Sequence, residues 1–400
     1  MSLFGRALLA ASFVISLGCE AQNERSMSTA APSSREGRSS ESAIPGSFRQ
    51  DSNNPGMPDV ILVPTSDHTV AGNDDLRRLA SGIQSAHDKA ILVGKAGEKD
   101  GEGPVFGEVT AVTRGKDGRV YVLDAMYGKV WILGSDGRLL GSYGRLGRGP
   151  DEFFYPNAVA IADDSTLVVA QKNRVIKIIR LRQNGDLTEA VSFAVDYNPE
   201  ALCSIRDMLV VRGYSPGTNS YGDILHVYNL NGDLVRSFGA PVAAEHQLMR
   251  SRLSVGSLLA CDQDNLEVLT SFEYIPLIRG YDIGGDLRWE ARLTDFDQIN
   301  VRLAKSPSGS QELRFGRPEV GMDFVKALTF ASRRVVLVQT QEIVAEGKPS
   351  THSYLIDPLG RASVYLGPSL WLAKSGIETG DFVFVESDSF PVLRIARSNH

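Results

Sequence analysis

Short apolar runs of five to seven residues recur along most of the chain, and turn-forming residues separate them. The first clear examples are 119–124 and 129–133, which are rich in Val, Leu, Ile and aromatic residues. Runs of this length and composition predict β-strands rather than helices. The Asp-Gly pairs at 117–118 and 136–137 supply the positive φ that tight hairpin turns require. The stretch 107–157 therefore predicts four antiparallel strands followed by a long loop.

This unit recurs through the rest of the chain. Turns that should join a third strand to a fourth occur at 136–137, 184–185, 231–232, 284–285 and 359–360. Their spacing is that of a four-stranded blade, roughly 40–50 residues, except where a polar insertion between Thr294 and Glu319 lengthens the last interval. The sixth copy begins near Ser369 and ends one strand short, and the apolar run at 90–94 has the right length to supply that strand beside 392–396.

The repeats predict an all-β fold over residues 88–400: a six-bladed β-propeller of four-stranded antiparallel blades, closed by an N-terminal strand that completes the C-terminal blade. The composition, 42% hydrophobic and 22% charged, is that of a soluble globular protein. A net charge of −6 without a Lys/Arg cluster argues against a nucleic-acid partner. We expect a monomer.

The first 87 residues have a different composition. Residues 1–19 have the form of a signal peptide, with Arg6 before an apolar run that is too short to span a bilayer. Residues 20–87 are predicted to be a flexible tether with little regular structure, apart from a strand-like run at 59–64 and one or two helical turns at 74–83. The end of the leader, with Gly18 and Cys19, resembles the lipobox of bacterial lipoproteins. That resemblance implies lipid attachment at Cys19 and a periplasmic or membrane-anchored location.

Three stretches resemble the NHL repeat. They are Gly-Arg-Val-Tyr-Val-Leu-Asp at 118–124, Lys-Val-Trp-Ile-Leu at 129–133, and the Gly-Arg-Gly-Pro-Asp-Glu-Phe-Phe-Tyr-Pro segment that begins at Gly147. The match is good over 107–161 and weaker over 162–240. After residue 240, only the regular spacing of the strands resembles the repeat. The resemblance implies six blades. Its relatives include protein- and RNA-binding modules, bacterial surface proteins and a few lyases and lactonases, so the fold does not settle the activity.

Three cysteines are too few for a disulfide framework. With Cys19 in the leader, Cys203 and Cys261 form the one possible pair. We expect them to be two buried small hydrophobic residues rather than a disulfide.

Polar residues are predicted to open the inner strands, which would line the central channel: Glu108, Asn157, Glu200, Ser254 and Asp323. Oxygen ligands that converge on an axis suit Ca²⁺, so Glu108, Asn157, Glu200 and Asp323 form a candidate calcium site. The alternative is that these side chains only solvate a water-filled channel, in which case no cofactor is expected. Asp124, at the end of a second strand, is expected to form a turn rather than to act as a catalytic acid.

The loops at the rim combine Arg and Tyr, which are favoured at binding hot spots. The candidate ligand-binding residues are Arg145, Tyr155, Tyr214, Tyr221, Arg250 and Tyr274. No nucleophile elbow, P-loop, dinucleotide fingerprint or zinc-protease motif occurs. The sequence thus favours a binding module for a protein, peptide or glycan over an enzyme. The alternative is a cation-dependent hydrolase or lyase, similar to propeller lactonases.

Overall fold

The computed structural model describes residues 60–65, 73–93, 104–163, 165–181, 187–214, 222–256, 258–316, 321–343, 349–368, 371–376, 381–387 and 391–397. Within these ranges the chain forms six blades, each with four antiparallel strands, arranged as a β-propeller, and one blade carries an additional strand. The inner strand of each blade contacts the inner strand of the next, and the sixth contacts the first. The predicted all-β, six-bladed fold is therefore confirmed. The predicted signal peptide, the lipid attachment at Cys19 and the tether up to residue 59 lie outside the described residues.

Three short elements precede the blades: β1 (Val60–Val63), α1 (Asp74–Asp88) and β2 (Ile91–Val93). Blade 1 consists of β3 (Val109–Arg114), β4 (Val120–Asp124), β5 (Lys129–Leu133) and β6 (Leu139–Tyr143). Blade 2 consists of β7 (Pro156–Asp163), β8 (Thr166–Gln171), β9 (Val175–Leu181) and β10 (Leu187–Ala194). Blade 3 consists of β11 (Asn198–Ile205), β12 (Met208–Tyr214), β13 (Leu225–Asn229) and β14 (Leu234–Phe238), and α2 (Gln247–Ser254) follows it.

Blade 4 consists of β15 (Leu259–Asp262), β16 (Glu267–Ser271), β17 (Leu277–Asp282) and β18 (Leu287–Leu293). The polar insertion after it forms a separate hairpin of β19 (Val301–Lys305) and β20 (Gln311–Phe315). Blade 5 consists of β21 (Met322–Ser332), β22 (Val335–Ile343), β23 (Ser350–Asp357) and β24 (Ala362–Gly367). Blade 6 contains β25 (Leu372–Gly376), β26 (Phe382–Ser387) and β27 (Pro391–Ala396).

The second strand of a blade is apolar on both of its faces because each face packs against a different neighbouring blade. In β4, Val120 and Val122 join a core cluster with Val383 and Val385 of blade 6, whereas Tyr121 and Leu123 join a cluster with blade 2. Alternate side chains of a strand point to opposite sides of its sheet, so one strand contributes to two cores. This explains why the apolar runs of the sequence are nearly continuous.

The chain before the first blade has more regular structure than the sequence predicts. β1 pairs in parallel with β18 as a fifth strand of blade 4, where Ile61 and Val63 are buried. α1 has 15 residues, about twice the predicted helical length, and the Asn73 side chain accepts a hydrogen bond from the Leu76 amide at 3.0 Å. One side of α1 is buried against blades 5 and 6 through Leu76, Ala80, Ile83 and Ala86. Tertiary packing of this apolar face stabilises a helix that local propensity alone leaves marginal.

β2 is the fourth strand of blade 6. It pairs antiparallel with β27, with Ile91 opposite Ile395 and Val93 opposite Leu393. This is the pairing that the sequence predicts between residues 90–94 and 392–396. Among the described residues, neither α1 nor α2 has the length and apolar character needed to cross a membrane.

A disulfide bond joins Cys203 in β11 to Cys261 in β15, with the Cα atoms 5.8 Å apart. The prediction of two unpaired buried thiols is therefore wrong. The bond links the inner strands of blades 3 and 4, which are 58 residues apart in sequence and adjacent only in the folded propeller. Strand patterns along the chain could not show this proximity.

Replacing both cysteines, as in Cys203→Ser/Cys261→Ser, should lower the free energy of unfolding by about 2–4 kcal/mol, because the bond restricts the unfolded chain. Urea denaturation of the wild-type protein, with and without reductant, gives an independent measurement of the same loss in the free energy of unfolding. The double variant should not respond to reductant, and an equal response in both proteins would contradict the prediction.

Candidate functional site

The connections between strands lie on two opposite faces of the propeller. The loops that lead into the inner strands share one face with the turns between second and third strands, and we call this the entry face. The turns that follow the inner strands share the other face with the turns between third and fourth strands, and we call this the exit face. This division follows from the antiparallel strand order of each blade.

Five of the six inner strands contain a β-bulge near their first residue. The extra residues are Thr110, Asn157, Glu200, Lys326 and Lys374, which we call the axial ring because the inner strands surround the axis. A bulge redirects a side chain and is common beside functional sites. The ring positions are all polar, although the flanking strand residues are largely apolar.

The axial ring differs from the set of channel residues that the sequence predicts. Asn157 and Glu200 belong to it. Glu108 lies two residues before Thr110 and is exposed, and Asp323 lies near the start of β21, where its carboxylate accepts a hydrogen bond from the Asp297 amide at 2.8 Å. Ser254 does not open an inner strand. It ends α2, and its hydroxyl accepts a hydrogen bond from the Val242 amide.

Glu200 forms a buried ion pair with Arg212, at 2.6 Å between Oε2 and Nη1. The Arg212 side chain is fully buried and donates further hydrogen bonds to Thr270 Oγ1 and to the backbone carbonyls of Ser254, Gly256 and Ser271. Arg212 therefore joins blade 3 to the segment that leads into blade 4. Burial raises the pKa of the Glu200 carboxyl, and the Arg212 charge opposes that effect.

Two features of the axis bear on the predicted calcium site. Among the described residues there is no group of three or more His, Cys, Asp and Glu side chains placed to hold a metal ion. In addition, Lys326 and Lys374 place positive charge in the axial ring, which opposes the approach of a cation. Burial raises the pKa of Asp323, which also disfavours its charged form. Calcium binding at Glu108, Asn157, Glu200 and Asp323 stays a prediction.

Polar side chains of second strands accept hydrogen bonds from backbone amides at or just before the start of inner strands. Asp124 is completely buried and accepts hydrogen bonds from the amides of Gly107, Glu108 and Tyr127. Gln171 accepts one from the Phe154 amide, and Gln339 accepts one from the Ala373 amide. Asp124 thus has the structural role that the sequence predicts for it.

The predicted rim residues fall into different environments. Arg145 and Tyr155 are exposed on the loop between blades 1 and 2, and Arg145 pairs with Glu152 at 2.8 Å. Tyr214, at the end of β12, is half-buried and packs against the core, and Arg250 in α2 donates to the Ala244 carbonyl. The structure buries Tyr274, whose hydroxyl contacts Arg252 and whose ring packs near Phe324, so its side chain is not accessible at the surface. Tyr221 lies outside the described residues.

An exposed apolar surface on the entry face of blades 1 and 2 includes side chains that the sequence did not single out. Its four members are more than two-fifths exposed: Met126 (59%), Tyr127 (43%), Leu146 (52%) and Tyr155 (52%). We call these four residues the rim patch. Gly128, next to Tyr127, packs against the Leu146 backbone, and Leu146 in turn forms a bridge with Phe153. One sequence signal could have indicated this patch: the Ala-Met-Tyr-Gly turn at 125–128 places Met126 and Tyr127 between two buried strands.

No protein-family model and no curated protein matches the chain. Among solved structures, the chain is similar to a protein from Bacteroides fragilis NCTC 9343 whose name proposes that it is exported. The sequence identity is 10% and the TM-score 0.51, and the match covers 86% of this chain and 100% of the other. A member of the DUF4221 family from Bacteroides vulgatus ATCC 8482 matches with 8% identity and a TM-score of 0.48, over 77% of this chain and 97% of the other. The first likeness shows the class of fold, a six-bladed β-propeller.

Replacing Arg212 by Met should lower the free energy of unfolding by about 3–5 kcal/mol, because Glu200 is left buried without its partner. The double variant Arg212→Met/Glu200→Leu should regain part of that loss. In urea denaturation, Arg145→Met serves as the control, since its exposed ion pair is worth about 1 kcal/mol or less. If the double variant is no more stable than Arg212→Met, the unpaired Glu200 carboxylate is not the cause of the lost stability.

Proposed function

We propose that this protein is an exported β-propeller that binds a protein or peptide through the rim patch. The supporting observation is the exposure of Met126, Tyr127, Leu146 and Tyr155 on one stretch of the entry face. Several large apolar side chains exposed on loops of one face are typical of interaction sites. Tyr and Arg are the residue types enriched at binding hot spots, and Arg145 and Arg148 flank the patch. Met126 and Leu146 favour the apolar side chains of a protein over the hydroxyl groups of a glycan.

The loop that presents Tyr155 is held in one conformation before any partner binds. The Glu152 carboxylate accepts hydrogen bonds from the Arg148 and Gly149 amides, and the Lys177 ammonium donates to the carbonyls of Gly149 and Pro150. The Gly149 amide is the main cause of a lowered pKa at Glu152, and the Arg145 side chain adds to it. A preorganised loop pays less conformational entropy on binding.

Tyr155 itself has a strained backbone. Its φ of 47° lies in the left-handed region, which is uncommon for a large side chain. Two hydrogen bonds hold this part of the chain: the Lys172 amide donates to the Tyr155 carbonyl, and the Phe154 amide donates to Gln171. Such strain is found at binding sites, and here it coincides with a ring that is half exposed.

Export is supported by the leader at 1–19 and by the Cys203–Cys261 disulfide, since disulfide bonds persist in oxidising compartments. Lipid at Cys19 would hold the propeller at a membrane surface by the segment that precedes Val60. The residues that carry the resemblance to the NHL repeat, 107–161, include the blade and the loop that form the rim patch.

A photo-reactive amino acid in place of Tyr155 or Leu146 should cross-link to a partner in cells of the source organism. The matched control is Leu359, which is 66% exposed but lies in a third-to-fourth-strand turn on the exit face. Protease sensitivity of the adduct distinguishes a protein partner from a glycan. Equal cross-linking at Leu359, or none at the rim patch, would contradict the proposal.

For the purified partner, Tyr155→Ala and Tyr127→Ala should each weaken binding at least about tenfold, the loss typical of a hot-spot residue. Leu359→Ala should leave the dissociation constant unchanged. Denaturation midpoints of all three variants check that any loss of binding does not come from unfolding.

A further inference from the structure

The exit-face ends of the inner strands surround a cavity of about 570 Å³, within the range of about 300–1,000 Å³ that is common for small-molecule sites. Turn residues that follow the inner strands, such as Lys116 and Arg206, belong to its lining, so the cavity lies at the exit face. Cys203 and Cys261 also belong to the lining, and both residues are half-buried rather than buried. They also pack against the apolar core between blades 3 and 4. The disulfide bond therefore lies at the boundary between that core and the cavity.

A side-chain clamp joins the same two blades beside the disulfide bond. Gln263, two residues after Cys261, donates from Nε2 to the Ser204 carbonyl at 2.7 Å, and its Oε1 accepts a hydrogen bond from the Arg206 amide at 2.7 Å. Ser204 directly follows Cys203. We call Gln263 with these two hydrogen bonds the exit clamp. It holds the chain beside each cysteine to the other blade through contacts that do not involve sulfur.

Arg212 holds the same pair of blades together nearer the entry face. From blade 3 it donates hydrogen bonds to the carbonyls of Ser254 and Gly256, in the segment that leads into blade 4. In addition, one apolar core cluster contains buried residues of both blades, including Val210 and Val268. These contacts keep β11 and β15 adjacent whether or not the bond between their cysteines is intact. Two thiols held in this way have a high effective concentration for each other, so the bond can open and re-form within the folded propeller.

We propose that the Cys203–Cys261 bond is a reversible site of thiol–disulfide exchange, and that its co-reactant is a low-molecular-weight thiol that enters the exit-face cavity. Access to the sulfurs controls such exchange, and exposed disulfides are the labile ones. Acidic and basic side chains both line the cavity, which suits a neutral or zwitterionic thiol. This site is separate from the rim patch and does not depend on the function proposed for it.

Each step of the exchange conserves atoms and electrons. The thiolate of the small thiol attacks one cysteine sulfur and forms a mixed disulfide with it, while the Cys203–Cys261 bond breaks and its electron pair leaves on the other sulfur. The released cysteine thiolate either takes up a proton from water or attacks the mixed disulfide, which restores the original bond and expels the small thiolate. Attack of a second small thiolate on the mixed disulfide instead yields the small disulfide, which is the oxidised product, and leaves both cysteines reduced.

The reaction of the full, disulfide-bonded chain with 2-mercaptoethanol, compared with a dextran that carries the same mercaptoethyl group, tests the proposal under native conditions. Intact mass and peptide mapping follow the mixed disulfide and the free thiols at Cys203 and Cys261. Each rate is divided by the rate of the same reagent with the protein unfolded in urea, which removes differences in intrinsic reactivity. The normalised rate should be at least about tenfold higher for the small thiol, because only that reagent enters the cavity. The double variant Cys203→Ser/Cys261→Ser gives the background from Cys19.

The fold and the exit clamp give two further readouts. The reduced wild-type protein should keep its β-sheet circular dichroism, and it should re-form the bond when 2-hydroxyethyl disulfide replaces the thiol. Gln263→Ala should slow that re-formation by about twofold or more, because the two cysteines are then held together less closely. The matched control Gln84→Ala, in α1, should leave the rate unchanged.

Equal normalised rates for the two reagents, or reduction only at urea concentrations that unfold the chain, would overturn the proposal, because the bond would then react only after unfolding. Loss of the β-sheet signal on reduction would overturn the reversibility of the site. Re-formation that is as fast in Gln263→Ala as in Gln84→Ala would overturn the role given to the exit clamp.

Discussion

The inner strands of the propeller must satisfy their backbone groups beside the central axis, where no further strand pairs with them, and the rest of the structure depends on how they do so. Each inner strand has a neighbouring strand on one side only, so the groups near its entry need side-chain partners. Asp124 and Gln171 supply them from the ends of second strands, and Gln339 supplies one from the middle of β22. Arg212 does the same between blades 3 and 4, where it bonds three backbone carbonyls and balances the charge of Glu200.

The β-bulges near these entries give the inner strands an extra residue that can contact another blade. On the entry side, ring residues contact the following blade: Asn157 donates to the Pro199 carbonyl, and Glu200 accepts from the Gly256 amide. On the exit side, the ends of the inner strands line a cavity of about 570 Å³. The rim patch and this cavity lie at opposite ends of the inner strands.

The segment before the blades covers edges that the propeller would otherwise leave open. β1 pairs with the outer strand of blade 4, and β2 pairs with the last strand of the chain in blade 6. These pairings satisfy backbone groups of β18 and β27 that would otherwise lie at an open sheet edge. α1 buries an apolar face between blades 5 and 6. These elements make the N-terminal part of the described chain a component of the fold rather than a tether.

The sequence by itself determined the strands, the number of blades, the pairing of 90–94 with 392–396 and the structural role of Asp124, because short-range apolar patterns and turn residues encode these features. Only the tertiary structure decided which residues form the axial ring. A bulge inserts a residue without a local sequence signal, and the bulges fall at Thr110 and Lys326, two and three residues after the predicted Glu108 and Asp323. The Cys203–Cys261 bond, the burial of Tyr274 and the exposure of Met126 likewise depend on which blades become neighbours, and the order of residues along the chain does not specify those distances.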